Sequence, residues 1–123
     1  MIQNIKGTLA LNIPKQNVME YLSNINIIPK NIKGNNNQIK RDNNEYHITI
    51  INPKEMKKLK HSTFPKIDTI IDDLLFIGLG KVKNDISFAT YIVVRSKKLS
   101  KIRQNLGLKN YDFHITLGFT NGD

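Results

Sequence analysis

The chain is expected to fold as an α+β protein of two pseudo-symmetric lobes, each a small antiparallel sheet backed by helices, with a central cleft. Three observations carry this expectation. Tyr46-His47-Ile48-Thr49-Ile50 recurs almost letter for letter as Phe113-His114-Ile115-Thr116-Leu117. Both copies alternate with the period of a strand, so His and Thr share one face while the aromatic, the Ile and the last aliphatic residue share the other. Around each copy, strand-like runs alternate with stretches of helical periodicity.

Taken in order, residues 4–12 read as a first strand, closed by Pro14. From Lys15 to Asn26, the residues Val18, Met19, Leu22 and Ile25 fall at helical spacing and predict an amphipathic helix against a sheet. Residues 31–44 are rich in Asn and charge, with Gly34-Asn35-Asn36-Asn37 among them, and read as a surface loop holding a short strand around 38–40. The first motif strand follows at about 45–51. Asn52 and Pro53 suit the N-cap and first position of a helix running to about Lys60, since proline's missing N–H costs nothing there. A further helix is predicted over 65–75, with Ile67, Ile70, Ile71 and Leu74 on one face. Residues 76–83 and 87–95 predict a hairpin turning at Asn84-Asp85. Residues 96–106 predict a helix with Ser96 as N-cap, Leu99, Ile102 and Leu106 inward, and Gly107 as its stop. The last strand carries the second motif. No linker, repeat array or second domain interrupts this order, so residues 1–123 are expected to form one domain.

Composition narrows the class less than the motifs do. The chain has no cysteine, which excludes disulfides and thiolate chemistry. No apolar run approaches a membrane span and no signal-peptide core opens the chain, so a soluble protein of the cytoplasm or nucleus, free of membrane, is expected. A net charge of +9 favours phosphate-rich ligands. That inference is discounted, because abundant Lys, Asn and Ile are also what codon bias in an A+T-rich genome produces.

The chemistry that wants two imidazoles beside two hydroxyls is phosphodiester cleavage without a metal. One imidazole takes a proton from the attacking oxygen and the other gives one to the leaving oxygen, while hydroxyls bind the phosphoryl oxygens. Histidine suits both roles because both of its protonation states are accessible near neutrality. Thr at i+2 lies roughly 7 Å along the same face as its His, within reach of a shared phosphate. The chain has three histidines, and the third, His61, is also followed by Thr at i+2. It lacks the alternating apolar frame, so the pair His47 and His114 is preferred.

The two motifs resemble those of the two-histidine (2H) phosphoesterase superfamily, whose members carry one His-x-Thr/Ser motif in each of two lobes. The stretch Asp112-Phe113-His114-Ile115-Thr116-Leu117-Gly118-Phe119 is most similar to the Swiss-army-knife, RNA-repair-like branch. The specific match is confined to the motifs. The resemblance implies an enzyme, a hydrolase of the cyclic nucleotide phosphodiesterase type. It would act on a 2′,3′-cyclic phosphate or a 2′-linked phosphodiester in RNA 3′ ends or small nucleotides, as a monomer and without cofactor or metal. Catalytic residues would be His47, Thr49, His114 and Thr116. By the same resemblance His114 would activate water, His47 would protonate the departing ribose 3′ oxygen, and both threonines would bind non-bridging oxygens.

Around this core, Phe119, Lys81, Tyr91 and His61 are the expected substrate-binding residues. Phe119 would stack on a base, although strand parity assigns it to the core face. Gly118 would continue the face of His114 and Thr116 and leave room for substrate. Lys81, Tyr91 and Arg95 would meet phosphate from neighbouring strands, or simply be solvated. His61, with Lys60 and Phe64, would form a loop over the entrance. Two other classes stay open: a non-catalytic module of the same fold that binds RNA ends or nucleotides, and a divalent-metal site, disfavoured because neither His-Ile-Thr unit holds a Cys or an acid. Within the enzyme class, a virus- or phage-like protein degrading a cyclic or 2′-5′-linked nucleotide signal would share the same site.

Overall fold

A computed structural model of the protein describes residues 2–5, 7–59 and 69–120. Its strands are β1 (Ile2–Ile5), β2 (Thr8–Ile13), β3 (Tyr46–Ile51), β4 (Leu75–Lys83), β5 (Phe88–Arg95) and β6 (Phe113–Phe119). The helices are α1 (Lys15–Asn24), α2 (Asn35–Arg41), α3 (Pro53–Lys58) and α4 (Lys97–Asn105). One antiparallel sheet runs in the order β1-β2-β3-β6-β5-β4. Each half of the chain therefore supplies a hairpin and then a motif strand, with α1 and α2 in the first crossover and α4 in the second. The expected α+β class and pseudo-symmetry hold. The lobes differ from expectation in one respect: their sheets merge where β3 and β6 meet, so the motif strands lie side by side at the centre instead of facing each other across a gap.

One face of the sheet is the core. Leu11, Ile13, Ile48, Ile92, Val94 and Ile115 pack there with Val18 and Leu22 of α1 and Leu99 and Ile102 of α4, all buried. Helix periodicity is what brings these residues inward: an amphipathic helix of ten residues or fewer has little stability alone and is held by burying its apolar stripe. Ile25, expected on that stripe, is 38% exposed because α1 ends at Asn24. The predicted caps are present. Ser96 accepts the Leu99 N–H at the start of α4, and Asn52 with Glu55 forms a reciprocal capping box on α3, which ends at Lys58.

Three expectations fail for identifiable reasons. The single strand over 4–12 is a hairpin, β1–β2, because Gly7 takes φ +82 and donates its N–H to the Asn4 side chain, which closes a tight turn. The Asn-rich loop is α2. Asparagine is a poor helix former, but here Asn35 and Asn37 donate side-chain N–H groups to Leu117 O and Phe119 O, both at 2.8 Å, beside the end of β6. Tertiary bonds override propensity. The helix predicted over 65–75 falls partly outside the described residues. Residues 69–74 have no regular structure and Leu75 opens β4. Asp73 of this segment caps α4 instead, accepting from Ser96 Oγ at 2.6 Å and Lys98 N at 3.0 Å.

Candidate active site

The face of the sheet opposite the helices is open and carries both motifs. Ile48 and Ile115 are paired opposite each other with their side chains in the core. Extending that register by one residue each way sets His47 across from Thr116 and Thr49 across from His114, all four on the open face. Directly opposed side chains have Cβ atoms about 4.5–5.5 Å apart, and diagonal neighbours about 7–8 Å. The imidazoles thus occupy one diagonal and the hydroxyls the other. Their separation admits one phosphoryl group between two proton carriers.

These four residues line a cleft of about 970 Å³. That is at the upper end of the range of roughly 300–1,000 Å³ in which small-molecule sites fall. The walls differ between lobes. Asn12 is paired with His47 and Ala10 with Thr49 on the β2 side, whereas Val93 is paired with His114 and Tyr91 with Thr116 on the β5 side. The first lobe offers polar groups, including Gln3 and Asn52, and the second offers an aromatic and aliphatic wall.

Tyr91 is the expected substrate-binding residue that the fold brings to the site. Its ring lies 5.0 Å from that of His114, tilted by 53°. It rests across Gly80 of β4: a Cβ there would meet the ring at 2.3 Å. Glycine inside a strand pattern is the sequence signal for such a close approach, and Gly80 stands in Gly78-Leu79-Gly80-Lys81.

The strand alternation that located His and Thr breaks immediately after each motif. Leu9 is paired with Ile51 but Ala10 with Thr49, making Ile50 an extra residue in β3. Thr90 is paired with Gly118 but Tyr91 with Thr116, making Leu117 an extra residue in β6. These are β-bulges, which reverse the facing of everything beyond them. Gly118 consequently does not continue the His114–Thr116 face. It points at the segment before α2, where a Cβ would meet Lys33 O at 2.4 Å. Phe119 shares the side of Ala89, a cleft residue, and not the core face that simple parity assigned. It is only 9% exposed, beneath the Arg41 guanidinium at 4.6 Å, so its ring is not a stacking surface.

Lys81 is opposite Thr90, whose buried side chain faces away from the cleft, so the expected phosphate contact is corrected by parity: Lys81 is exposed elsewhere. Arg95 is also exposed, in a second groove beside Lys97 and Lys101. His61, with Lys60 and Phe64, lies outside the described residues. Arg41 and Asn12, by contrast, line the cleft without having been singled out. Arg41 sits in the segment read as loop and gives no sequence signal. Asn12 does give one, a polar residue at an alternate position of an apolar strand.

A sheet of two merged lobes with a His-x-Thr unit on each central strand defines a two-histidine phosphoesterase. A family model described as Swiss Army Knife, 2H phosphoesterase domain, matches residues 7–123, and the chain belongs to that family. No curated protein and no solved structure matches it. The family supports hydrolase chemistry of the phosphoesterase type. No helix among the described residues is long and apolar enough to cross a membrane.

Proposed function

We propose that the protein hydrolyses a 2′,3′-cyclic phosphate or a 2′-linked phosphodiester, in RNA 3′ ends or small nucleotides, by two-histidine acid/base catalysis without a metal. The observation that carries this reading is the crossed arrangement of two imidazoles and two hydroxyls around one phosphoryl-sized space. Water attacks phosphorus as His114 takes its proton. The P–O3′ bond breaks as His47 protonates the ribose oxygen, leaving a 2′-monophosphate. Thr49 and Thr116 bind the non-bridging oxygens, whose charge grows in the transition state. The imidazoles then exchange protons with solvent. A cyclic ester suits this site because its ring strain and fixed leaving oxygen demand little further positioning. Among the described residues no group of three or more His, Cys, Asp or Glu is placed to hold an ion.

A panel of 2′,3′-cyclic nucleotides, 2′-5′ oligoadenylate, 3′-5′ RNA and cyclic dinucleotides tests the reading. Turnover of at least one cyclic or 2′-linked ester, with little of ordinary 3′-5′ RNA, is expected. Tight binding of a panel member with no turnover at any pH would favour a binding module instead.

Tyr91 serves as the seat of the nucleobase in this reading, its ring close against Gly80 and lining the cleft. Stacking on an aromatic side chain is worth about 1–3 kcal/mol per base. Tyr91→Leu is therefore expected to raise KM for a cyclic nucleotide about tenfold with little change in kcat, and Tyr91→Phe to preserve both. Steady-state kinetics of the two variants decide it; equal effects from Leu and Phe would assign the contribution to the hydroxyl and not the ring.

A further inference from the structure

The two bulges are equivalent positions, each directly after the motif threonine, and each is held in the same way. Ile50 O accepts a hydrogen bond from Arg103 Nη1 at 2.8 Å, and Leu117 O accepts one from Asn35 Nδ2 at 2.8 Å. Both donors are buried, at 2% and 4% exposure. They also cross over. Arg103 belongs to α4, in the second half of the chain, yet holds the first motif strand; Asn35 belongs to α2, in the first half, yet holds the second.

Neither donor is free to drift. The Arg103 fork is fixed on Glu55, Nη1 to Oε1 at 2.8 Å and Nη2 to Oε2 at 2.7 Å, and on Lys109 O. Its Cζ lies 4.6 Å from the Tyr111 ring centroid. Asn35 follows Gly34, which has φ +78 and comes so close to β6 that a Cβ would sit 2.1 Å from Phe119 O. A bulge takes a residue out of the strand ladder, and a buried carbonyl at such a point needs another donor. The carbonyl of each bulge residue, in the peptides Ile50–Ile51 and Leu117–Gly118, is therefore held by a side chain.

We propose that Arg103 and Asn35 are positioning residues for the two motifs. By fixing the carbonyls of Ile50 and Leu117 they set the local twist of β3 and β6, and with it the directions in which Thr49 with His47, and Thr116 with His114, enter the cleft. The kinetic part of the test rests on the phosphodiesterase reading.

Asn35→Ala is compared with Asn37→Ala, which removes a bond to Phe119 O of the same length two residues beyond the bulge. At a temperature where both are folded by circular dichroism, Asn35→Ala is expected to lower kcat on a 2′,3′-cyclic nucleotide roughly tenfold or more. KM should stay within about threefold, because a small misplacement of reacting groups acts on the chemical step. Asn37→Ala should leave kcat unchanged. If Asn35→Ala does not fold, Asn35→Ser, whose hydroxyl is too short for Leu117 O, takes its place. An independent readout is the NMR spectrum of the His114 imidazole and the Thr116 methyl group, expected to shift in the Asn35 variant and not in Asn37→Ala. Unchanged kcat and unchanged His114 and Thr116 resonances in a folded Asn35 variant would overturn the proposal. If the wild type turns over no ester, the phosphodiesterase reading fails by itself, and the NMR comparison alone decides the positioning role.

Discussion

Replacing His114 by alanine is expected to lower turnover on the order of a hundredfold or more, and replacing His47 by a comparable factor, since a positioned acid or base contributes about 10²–10⁴ in rate. The double variant should lose little beyond the worse single one. Each proton transfer depends on the other, so the pair acts as a unit and the effects do not add. Two imidazoles working in opposite protonation states should also give a bell-shaped pH–rate profile, and each single variant should lose one limb of it. His61→Ala serves as the control and should cost much less. Initial rates on a cyclic nucleotide across pH check all of this; a His61→Ala variant as impaired as His114→Ala would show that the catalytic pair has been misassigned.

Glu55→Ala is expected to destabilise the fold by about 3 kcal/mol, the lower end of the range for removing one partner of a buried ion pair, because Arg103 is buried and Glu55 only partly so. Arg103, 2% exposed in the wild type, would keep the carbonyls of Ile50 and Lys109 but lose its countercharge. For a chain of this size that corresponds to a drop in Tm of roughly 10–20 °C. The exposed pair Lys98–Asp72 is shorter than many ion pairs, at 2.6 Å, yet its side chains are 42% and 65% exposed. Screening and side-chain entropy leave such pairs nearly neutral, so Asp72→Asn should not move the melting curve. The Arg103 hydrogen bond holds the Glu55 carboxyl below its usual range, against the opposing effect of burial. A carboxyl with a depressed folded-state pKa contributes stability above its unfolded pKa, and that contribution disappears as pH falls through the folded one. Acid should therefore weaken the wild type more steeply than Glu55→Gln. Thermal melts from neutral pH down through the carboxylate range make the comparison, and parallel acid limbs would contradict it.

The parts of the fold legible in the sequence are those where one periodicity runs without interruption. β3, β6, α1, α4 and the β4–β5 hairpin announce themselves through alternation, helical spacing and the caps at Asn52 and Ser96. The four His and Thr positions follow from the same alternation, and their common face follows from strand geometry. What lay beyond reach depends on contacts distant in sequence. The helicity of Asn35–Arg41 is secured by amide bonds to β6, 82 residues away. The bulges at Ile50 and Leu117 are defined only against β2 and β5. Hence parity holds through Thr116 and misplaces Gly118 and Phe119 just past it. Ile50 and Ile51, both fully buried in succession, are the trace the bulge leaves in the first motif strand. Tyr91 could be placed on a strand beside the cleft, but its seat on Gly80 requires the β4–β5 register.

The most direct measurement is the phosphorus NMR spectrum of a 2′,3′-cyclic nucleotide incubated with the wild-type protein in excess EDTA, beside the His47→Ala/His114→Ala double variant. The expected result is loss of the cyclic signal and growth of a 2′-monoester signal with wild type, and a static spectrum with the double variant. A cyclic signal that persists with wild type in EDTA but is lost when zinc or manganese is restored would contradict two-histidine catalysis at this site.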